Sequence, residues 1–305
     1  MQNNKQVILS IVPTTKCKNG CNYCYLGPLR DIDEFMNTSQ VESAVQELKD
    51  NGYSISTVQI FGGDLDSDYS KARRVDFFDN VYEATQVREM SINGKCGNII
   101  SINQERKDYE ENLEFLSKHS GFDVITIVLP KTYKKGPKDL LKTLSKNKSW
   151  RGVLTVYQYF PAAMADVNYE MTNKQYCDFM IGLLDEYLNG SYEFELSIID
   201  ELERNRVGRR ESIFGACLYL LPGGYYADVR YDKGGLEYFE TYRTIKEWEE
   251  AVKKQEMNIC NECKICEYNK KCMAEHYKEW KKGDVCCGMI PLIEWWEENR
   301  GRLNS

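Results

Sequence analysis

Short runs rich in β-branched residues alternate with longer stretches of helical character through the first 200 residues. The runs predict strands at 7–12, 55–61, 98–103, 122–129, 153–160 and 192–198. The longer stretches predict helices near 39–51, 74–90, 108–119, 137–147 and 172–189. Such alternation indicates βα units around a mostly parallel sheet. We therefore predict six strands of this type, while residues 87–92 fit either a further strand or the end of a helix.

The first helix carries signals at both of its ends. Thr38 and Ser39 can cap its start, and Glu42 stands three residues after Ser39, as in a capping box. Asn51-Gly52 then provides a stop signal. We predict a helix near residues 39–51 that Thr38 or Ser39 caps.

The alternation of strands and helices ends at about residue 200. A charged segment follows there, and after it come a predicted β-hairpin, two further helices and a group of cysteines. We predict two domains. Residues 1–200 form an α/β domain, and residues 201–305 form a small extension built from the hairpin and the helices.

The predicted hairpin turns at Gly223-Gly224, which is a signal for a two-residue loop. In the resulting register Cys217 lies opposite Arg230 and diagonal to Asp228. We therefore expect Cys217 and Asp228 to share one face of the sheet.

The composition limits the kinds of catalytic and metal site that the chain can form, because the 305 residues include 12 Cys and only 2 His. So few imidazoles make Ser-His-Asp, Cys-His and multi-histidine sites improbable. The chain has neither a secretory signal nor an apolar run long enough to span a membrane, so we expect a cytoplasmic protein with reduced thiols. The net charge of −7 argues against nucleic acid as a partner.

Three cysteines, Cys17, Cys21 and Cys24, follow the first predicted strand directly. The carboxyl ends of strands are where α/β folds build active sites. Three thiolates on one loop can hold three irons of a 4Fe-4S cluster and leave the fourth iron open. The alternatives are unrelated reduced thiols or a zinc site, for which Cys96 is the next available ligand in the sequence.

The CxxxCxxC spacing, with the aromatic Tyr23 before its last cysteine, resembles the radical S-adenosylmethionine (SAM) superfamily. The resemblance implies a partial (βα)6 TIM-type barrel. It also implies a cluster whose open iron chelates the amino and carboxylate groups of SAM. Reductive cleavage of SAM then gives a 5′-deoxyadenosyl radical that abstracts a hydrogen atom from the substrate.

The second predicted strand ends in Phe-Gly-Gly-Asp, and the family carries a Gly-Gly-acid-Pro stretch there that contacts the methionine amino group. The resemblance implies that Gly62, Gly63 and Asp64 bind SAM, as Tyr23 does. The chain departs from the family in having Asp64 in place of Glu and Leu65 in place of Pro. The alternative is an ordinary glycine turn at the end of a strand.

Polar residues near later strand ends are further candidates. Asn103 and Gln158 are in position to reach the ribose or the carboxylate of SAM, although polarity on a surface loop is the simpler explanation.

A second group of cysteines lies near the carboxy terminus, and its spacing resembles the SPASM and twitch extensions of radical SAM enzymes. The resemblance implies at least one auxiliary 4Fe-4S cluster held by Cys263, Cys266, Cys272 and Cys286, with Cys287 as the alternative to Cys286. A second auxiliary cluster would need ligands from Cys217, Asp228, Cys260 or His276. A zinc ribbon is the alternative for the whole group.

Cys217 and Asp228 are the candidate catalytic residues. Cys217 is a cluster ligand, a core residue or a hydrogen-atom donor, the last being similar to radical SAM peptide epimerases. Cys96 and Cys177 are interpreted as ordinary core or surface residues.

These observations favour a radical SAM enzyme that abstracts hydrogen from a ribosomally synthesised precursor peptide, leading to epimerisation, thioether formation or carbon-carbon cross-linking. Flavodoxin or ferredoxin would be the external reductant. No recognition domain precedes the first strand, so we expect a separate peptide-recognition protein. One alternative is a dehydrogenase or mutase acting on a small molecule such as an aminosugar or nucleoside. Another is a non-catalytic zinc or iron-sulfur binding module.

Overall fold

The computed structural model describes residues 5–26, 33–148, 150–204, 217–231, 236–254, 265–268, 271–272 and 288–304. Within these ranges no helix has both the length and the apolar character needed to cross a membrane.

The strands of the described residues are β1 (Lys5–Ile11), β2 (Tyr53–Ile60), β3 (Met90–Ile92), β4 (Ile99–Ser101), β5 (Asp123–Ile127), β6 (Val153–Tyr157), β7 (Glu195–Leu196), β8 (Cys217–Leu221), β9 (Tyr225–Tyr231) and β10 (Glu237–Tyr242). The helices are α1 (Thr38–Asp50), α2 (Asp68–Arg73), α3 (Phe77–Thr85), α4 (Tyr109–Leu116), α5 (Pro130–Lys135), α6 (Pro137–Leu144), α7 (Asn173–Asn189), α8 (Ser197–Glu203), α9 (Ile245–Lys254) and α10 (Ile290–Asn299). A short 3-10 helix, Arg300–Asn304, follows α10.

The strands form two sheets, in the orders β10-β9-β8-β1-β2-β3 and β4-β5-β6-β7. Pairing is parallel from β8 through β1 and β2 to β3, and again from β4 to β7. A parallel bridge between Asn93 and Ile99 links the two sheets. The result is the partial TIM-type barrel that the resemblance implies, built from the βα units that the alternation of strands and helices predicts.

Alternation along β1 separates the helix layer from the inside of the barrel. Leu9 and Ile11 are fully buried in a cluster that also contains residues of α1, α3 and α9, so they face the helices. Ser10, between them, faces the inside and meets Gln59 of β2. Each fully buried Leu or Ile contributes roughly 1.5–3 kcal/mol to the free energy of unfolding. A second cluster packs α6, α7 and α10 against β4–β7.

Three details of the predicted elements are wrong. The parallel strands of the α/β part number seven in the described residues, because Met90–Ile92 is a strand. The helix predicted at 74–90 is shorter, because α3 runs only from Phe77 to Thr85. The separate helix α2 lies before the predicted range, and Asp76, between the two helices, has a left-handed φ of 60°. Helix α1 is capped by Asn37 instead of Thr38 or Ser39. The Asn37 side chain accepts from the Gln40 backbone amide at 3.0 Å, and the Asn37 backbone amide donates to the Gln40 side-chain oxygen at 2.9 Å.

The predicted hairpin exists, but its register differs by one residue. Tyr219 pairs with Ala227 and Leu221 pairs with Tyr225, so three residues, 222–224, form the loop. Both glycines of that loop have positive φ angles, 87° and 76°. Because sheet faces alternate with a period of two, the slip moves Cys217 and Asp228 to opposite faces. The predicted shared face is therefore wrong.

Candidate active site

The three thiols Cys17, Cys21 and Cys24 lie on the loop that leaves the carboxyl end of β1, as predicted. All three are half-buried, and the Cys24 amide closes a turn by donating to the Cys21 carbonyl at 3.1 Å. In the described part of the chain, no three His, Cys, Asp or Glu side chains converge on a point where one metal ion would sit. A 4Fe-4S cluster does not require such convergence, because it binds cysteines through separate irons.

Tyr23 anchors this loop to the barrel. Its side chain is buried beside Leu129, and its hydroxyl accepts from the Asn103 amide at 3.2 Å. Asn103 also accepts from the Ile127 backbone at 2.7 Å and from the Thr126 hydroxyl at 3.2 Å. Burial raises the pKa of Tyr23, so its hydroxyl stays neutral. Asn103 thus connects the loop to β5, a positioning role that differs from the SAM contact suggested by its place in the sequence.

The Phe-Gly-Gly-Asp segment lies along the stem of the cysteine loop. The Gly63 amide donates to the Thr14 carbonyl at 2.8 Å, and the Asp64 amide donates to the Lys16 carbonyl at 2.9 Å. A Cβ atom on Gly63 would come within 2.1 Å of the Lys16 carbonyl oxygen. A Cβ atom on Gly62, where φ is 143°, would come within 2.7 Å of the Thr14 oxygen. Both positions need glycine because two backbone segments meet there.

Asp64 is buried, and only one of its two carboxylate oxygens accepts a hydrogen bond from the described residues. Oδ1 accepts from the Asp66 amide at 3.1 Å. Oδ2 is buried without a hydrogen bond from the described residues, and the Lys18 ammonium stands 3.5 Å from it as an ion-pair partner. A buried acceptor without a donor costs about 1–3 kcal/mol. The oxygen is therefore suited to accept from the amino group of a ligand.

Gln158, after β6, has a similar free acceptor. Its Nε2 donates to Asn173, and its Oε1 is buried without a hydrogen-bond partner among the residues that the structure describes. Three half-buried thiols and the Asp64 carboxylate beside the stem of their loop form a donor set that fits a 4Fe-4S cluster and SAM.

Cys217 faces the inside of the barrel. It lies on β8 beside Ile8 of β1, and its sulfur is 3.2 Å from the Ser10 hydroxyl. The Ser10 hydroxyl donates in turn to Gln59 Oε1 at 3.1 Å. The thiol therefore belongs to a polar row on the inner face of β8, β1 and β2.

Asp228 faces the helix layer instead. The Trp248 indole of α9 donates to its Oδ2 at 3.2 Å, and Arg230 lies 4.0 Å away. Burial raises the pKa of Asp228 to about 6, against the lowering effect of Arg230. Asp228 and Cys217 therefore lie on opposite faces of the hairpin. The predicted catalytic role of Asp228 assumed that they share a face, and the structure does not support that assumption.

Four half-buried aromatic residues, Tyr25, Phe61, Tyr219 and Phe239, are not indicated by the sequence. Together with Cys24 they pack against a small buried cluster of Val12, Leu26, Leu221 and Ala227. Their ring centroids are 5.3 Å apart for Tyr25 and Phe239, 5.7 Å for Phe61 and Tyr219, and 5.0 Å for Tyr219 and Phe239. We call them the aromatic cluster. They come from four different segments, so no local spacing could have identified them.

Two of the predicted auxiliary ligands are described. Cys266 and Cys272 are both half-buried, and the Met289 amide donates to the Cys272 sulfur at 3.3 Å. The other residues named for this site lie outside the described residues: Cys260, Cys263, His276, Cys286 and Cys287. The auxiliary cluster stays a prediction.

Cys96 and Cys177 are the two remaining described cysteines, and the Cys177 sulfur lies 3.5 Å from the Gly288 carbonyl oxygen and 3.8 Å from the Met289 sulfur. Cys177 is fully buried in the core around α7. Burial, with Asp66 nearby, raises the pKa of Cys96 to about 12, so its thiol is protonated.

No family model and no curated protein matches this sequence. Solved structures do match. Native anSMEcpe with bound AdoMet and Cp18Cys peptide has a TM-score of 0.63 at 16% identity, over 98% of both chains. Streptococcus suis SuiB bound to S-adenosylmethionine has a TM-score of 0.57 at 13% identity, over 90% of this chain and 73% of that one. SuiB bound to precursor peptide SuiA gives 0.57 and 13%, over 90% and 72%.

These neighbours are radical SAM enzymes, and the likeness shows that this chain has their fold. The fold predicted from the cysteine motif and the βα pattern is confirmed.

Proposed function

We propose that the chain is a radical SAM enzyme, with Cys17, Cys21 and Cys24 holding a 4Fe-4S cluster and Asp64 receiving the amino group of SAM. The observation that carries this proposal is the buried carboxylate of Asp64, whose Oδ2 has an ion-pair partner in Lys18 but no hydrogen bond from the described residues, beside the stem of a three-cysteine loop. When bound, the cluster supplies the electron that cleaves SAM to the 5′-deoxyadenosyl radical, which abstracts a substrate hydrogen.

The chain's own residues orient the ligands and exclude water. Gly62 and Gly63 allow the Asp64 segment to lie on the loop stem, and Asn103 holds Tyr23 against the barrel wall. The aromatic cluster and Cys24 pack against the same buried residues, so apolar surface lies near this end of the loop. Such surface would shield a reactive radical from solvent.

We propose a ribosomally synthesised peptide as the substrate. The names of two neighbours support this, since anSMEcpe binds the Cp18Cys peptide and SuiB binds the precursor peptide SuiA. The aromatic cluster offers apolar surface on which a peptide side chain can pack. Epimerisation, thioether formation and carbon-carbon cross-linking are the candidate outcomes. Flavodoxin or ferredoxin as reductant, a separate peptide-recognition protein and a cytoplasmic location complete the proposal.

Cys217 is our proposed hydrogen-atom donor for an epimerisation. The S–H bond would break homolytically, a new C–H bond would form on the peptide radical, and a sulfur radical would remain. One electron and one proton would then restore the thiol. An auxiliary cluster, which Cys263, Cys266, Cys272 and Cys286 would hold, would supply that electron. The inward position of Cys217, 3.2 Å from Ser10, supports this role.

Anaerobic reconstitution tests the enzyme proposal. We expect about four irons and four sulfides per cluster, hence about eight of each if the auxiliary cluster forms. Dithionite and SAM should then release 5′-deoxyadenosine. Cys24→Ala should abolish that release, whereas the matched variant Cys96→Ala should retain it. Zinc without sulfide would instead establish a zinc module and overturn the proposal.

Substrate class is tested by isotope transfer. Short peptides encoded beside the gene, deuterated at Cα, should pass deuterium to 5′-deoxyadenosine. Transfer from an aminosugar or nucleoside, with none from any peptide, would support the small-molecule alternative and overturn the peptide proposal.

A further inference from the structure

Strand β10 forms one edge of the larger sheet and pairs with β9 in a regular antiparallel register. Its first residue, Glu237, uses its backbone on the side away from β9. The Glu237 amide donates to the Pro161 carbonyl at 2.8 Å, and the Glu237 carbonyl accepts from the Ala163 amide at 2.7 Å. This contact is a parallel β-bridge centred on Ala162. The outer side of β10 therefore already accepts a short extended backbone segment at its first residue.

Two further residues of β10 turn their backbone groups to the same outer side. Backbone groups along an antiparallel pair alternate between facing the partner and facing away, so Phe239 and Thr241 face outward as Glu237 does. Within the described residues, no group pairs with these outward amides and carbonyls. Thr241 is exposed and Phe239 is half-buried. The edge thus offers two donors and two acceptors with a spacing of two residues.

The side chains of this edge share a face with part of the candidate site. The ring centroids of Phe239 and Tyr219 are 5.0 Å apart, and those of Phe239 and Tyr25, which follows Cys24, are 5.3 Å apart. Cys217, two residues before Tyr219 on β8, lies on the same face of the sheet. Because faces alternate with a period of two, every second side chain of a peptide paired with β10 would lie on this face.

The composition of β10 also leaves its edge open to pairing. The strand contains neither proline nor lysine, two residues by which edge strands commonly avoid pairing with another chain. A row of alternating backbone donors and acceptors is complemented by an extended peptide, and added strands are an established mode of peptide recognition. We propose that β10 binds an extended segment of the peptide substrate as an added strand, through the outward backbone groups of Phe239 and Thr241. The inference rests on the proposed function, because it gives the proposed peptide substrate a binding surface.

Amide hydrogen exchange at single-residue resolution tests the inference. The reconstituted protein with SAM, without reductant, is compared in the absence and presence of the gene-adjacent peptide that passes deuterium to 5′-deoxyadenosine. We expect exchange of the Phe239 and Thr241 amides to slow about tenfold when the peptide binds, because each amide gains a hydrogen bond. The Tyr238 and Glu240 amides, which face β9, should change far less. Slowing at alternate residues indicates strand addition and is not expected from side-chain contact alone.

Thr241→Pro removes one outward amide. Proline is tolerated on an edge strand where the N–H faces solvent, so the variant should unfold at the same urea concentration as the wild type. Its affinity for the peptide, measured by calorimetry, should fall about tenfold, because one hydrogen bond is lost and the ring occupies the place of the amide. Thr241→Val keeps the amide and should bind the peptide as the wild type does. If Thr241→Pro does not fold, N-methylated peptides replace it: methylation of alternate peptide amides should weaken binding about tenfold, and methylation of the residues between them should not.

Unchanged exchange of both amides in a complex with a peptide that passes deuterium overturns the inference and leaves the proposed function intact. An equal loss of affinity in Thr241→Pro and Thr241→Val also overturns it, since the side chain would then be responsible. Protection that rises with protein concentration in the absence of peptide would assign the edge to a second copy of the chain and overturn it as well. If no peptide passes deuterium, the peptide proposal itself fails and the inference fails with it, a result that the isotope experiment gives separately.

Discussion

Gly63 is the position where a single added methyl group should damage the candidate site most directly. A Cβ atom there would lie 2.1 Å from the Lys16 oxygen, 2.8 Å from the Lys16 carbonyl carbon and 2.9 Å from the Thr15 carbonyl carbon. All three atoms are backbone, so no side chain can rotate away. Relief requires the stem of the cysteine loop to move by roughly 1 Å, and overpacking of this kind costs about 1–3 kcal/mol.

We expect Gly63→Ala to lower the free energy of unfolding of the reduced, metal-free protein by about 1–3 kcal/mol in anaerobic urea titration. Because the displaced stem leads into Cys17, the variant should also retain less iron after reconstitution. The matched control is Gly121→Ala, where a Cβ atom would have no neighbour within 4 Å. Wild-type stability and iron content in Gly63→Ala would refute the packing argument.

Three further predictions concern single side chains. Asp64→Asn should keep the cluster but weaken SAM binding about tenfold in titration calorimetry, because a charged hydrogen bond is lost; unchanged affinity would contradict the role given to Asp64. Cys217→Ala should still release 5′-deoxyadenosine yet give no epimerised peptide, and deuterium uptake from heavy water at Cα should disappear. Burial raises the pKa of Asp228 from 3.8 to about 6, so the folded state binds the extra proton between these values. Its contribution to stability is therefore full below about pH 4 and is lost as the pH rises through about 6. Asp228→Asn should flatten that part of the stability profile in urea titrations, and an unaltered slope would contradict the burial argument.

Most of the parallel sheet was predictable, because β-branched runs and helix stop signals are local. The runs at 7–12 and 55–61 lie within a few residues of β1 and β2. The prediction was wrong where local signals compete. Thr38 and Ser39 look as suitable a cap as Asn37, and the left-handed φ of Asp76 that separates α2 from α3 leaves no trace in the hydrophobic pattern.

The candidate site was predictable only where its residues are adjacent in the chain. The spacing of Cys17, Cys21 and Cys24 and the glycines before Asp64 follow from short motifs, and the structure brings the two motifs together along the loop stem. The aromatic cluster was not predictable, because its members meet across long separations in sequence.

The sequence alone thus determined the βα order and the position of the three thiols after β1, since each depends on neighbouring residues, whereas the need for glycine before Asp64 comes from the packing of that segment against Thr14 and Lys16. Only the tertiary structure decided the surroundings of these groups. One extra residue in the hairpin loop turns Cys217 toward the inside of the barrel and Asp228 toward Trp248. Asp108 meets Asn19 of the cysteine loop only because the fold brings the two together, across more than eighty residues of chain. Register and long-range contacts are set by how the whole core packs, and no local pattern encodes them.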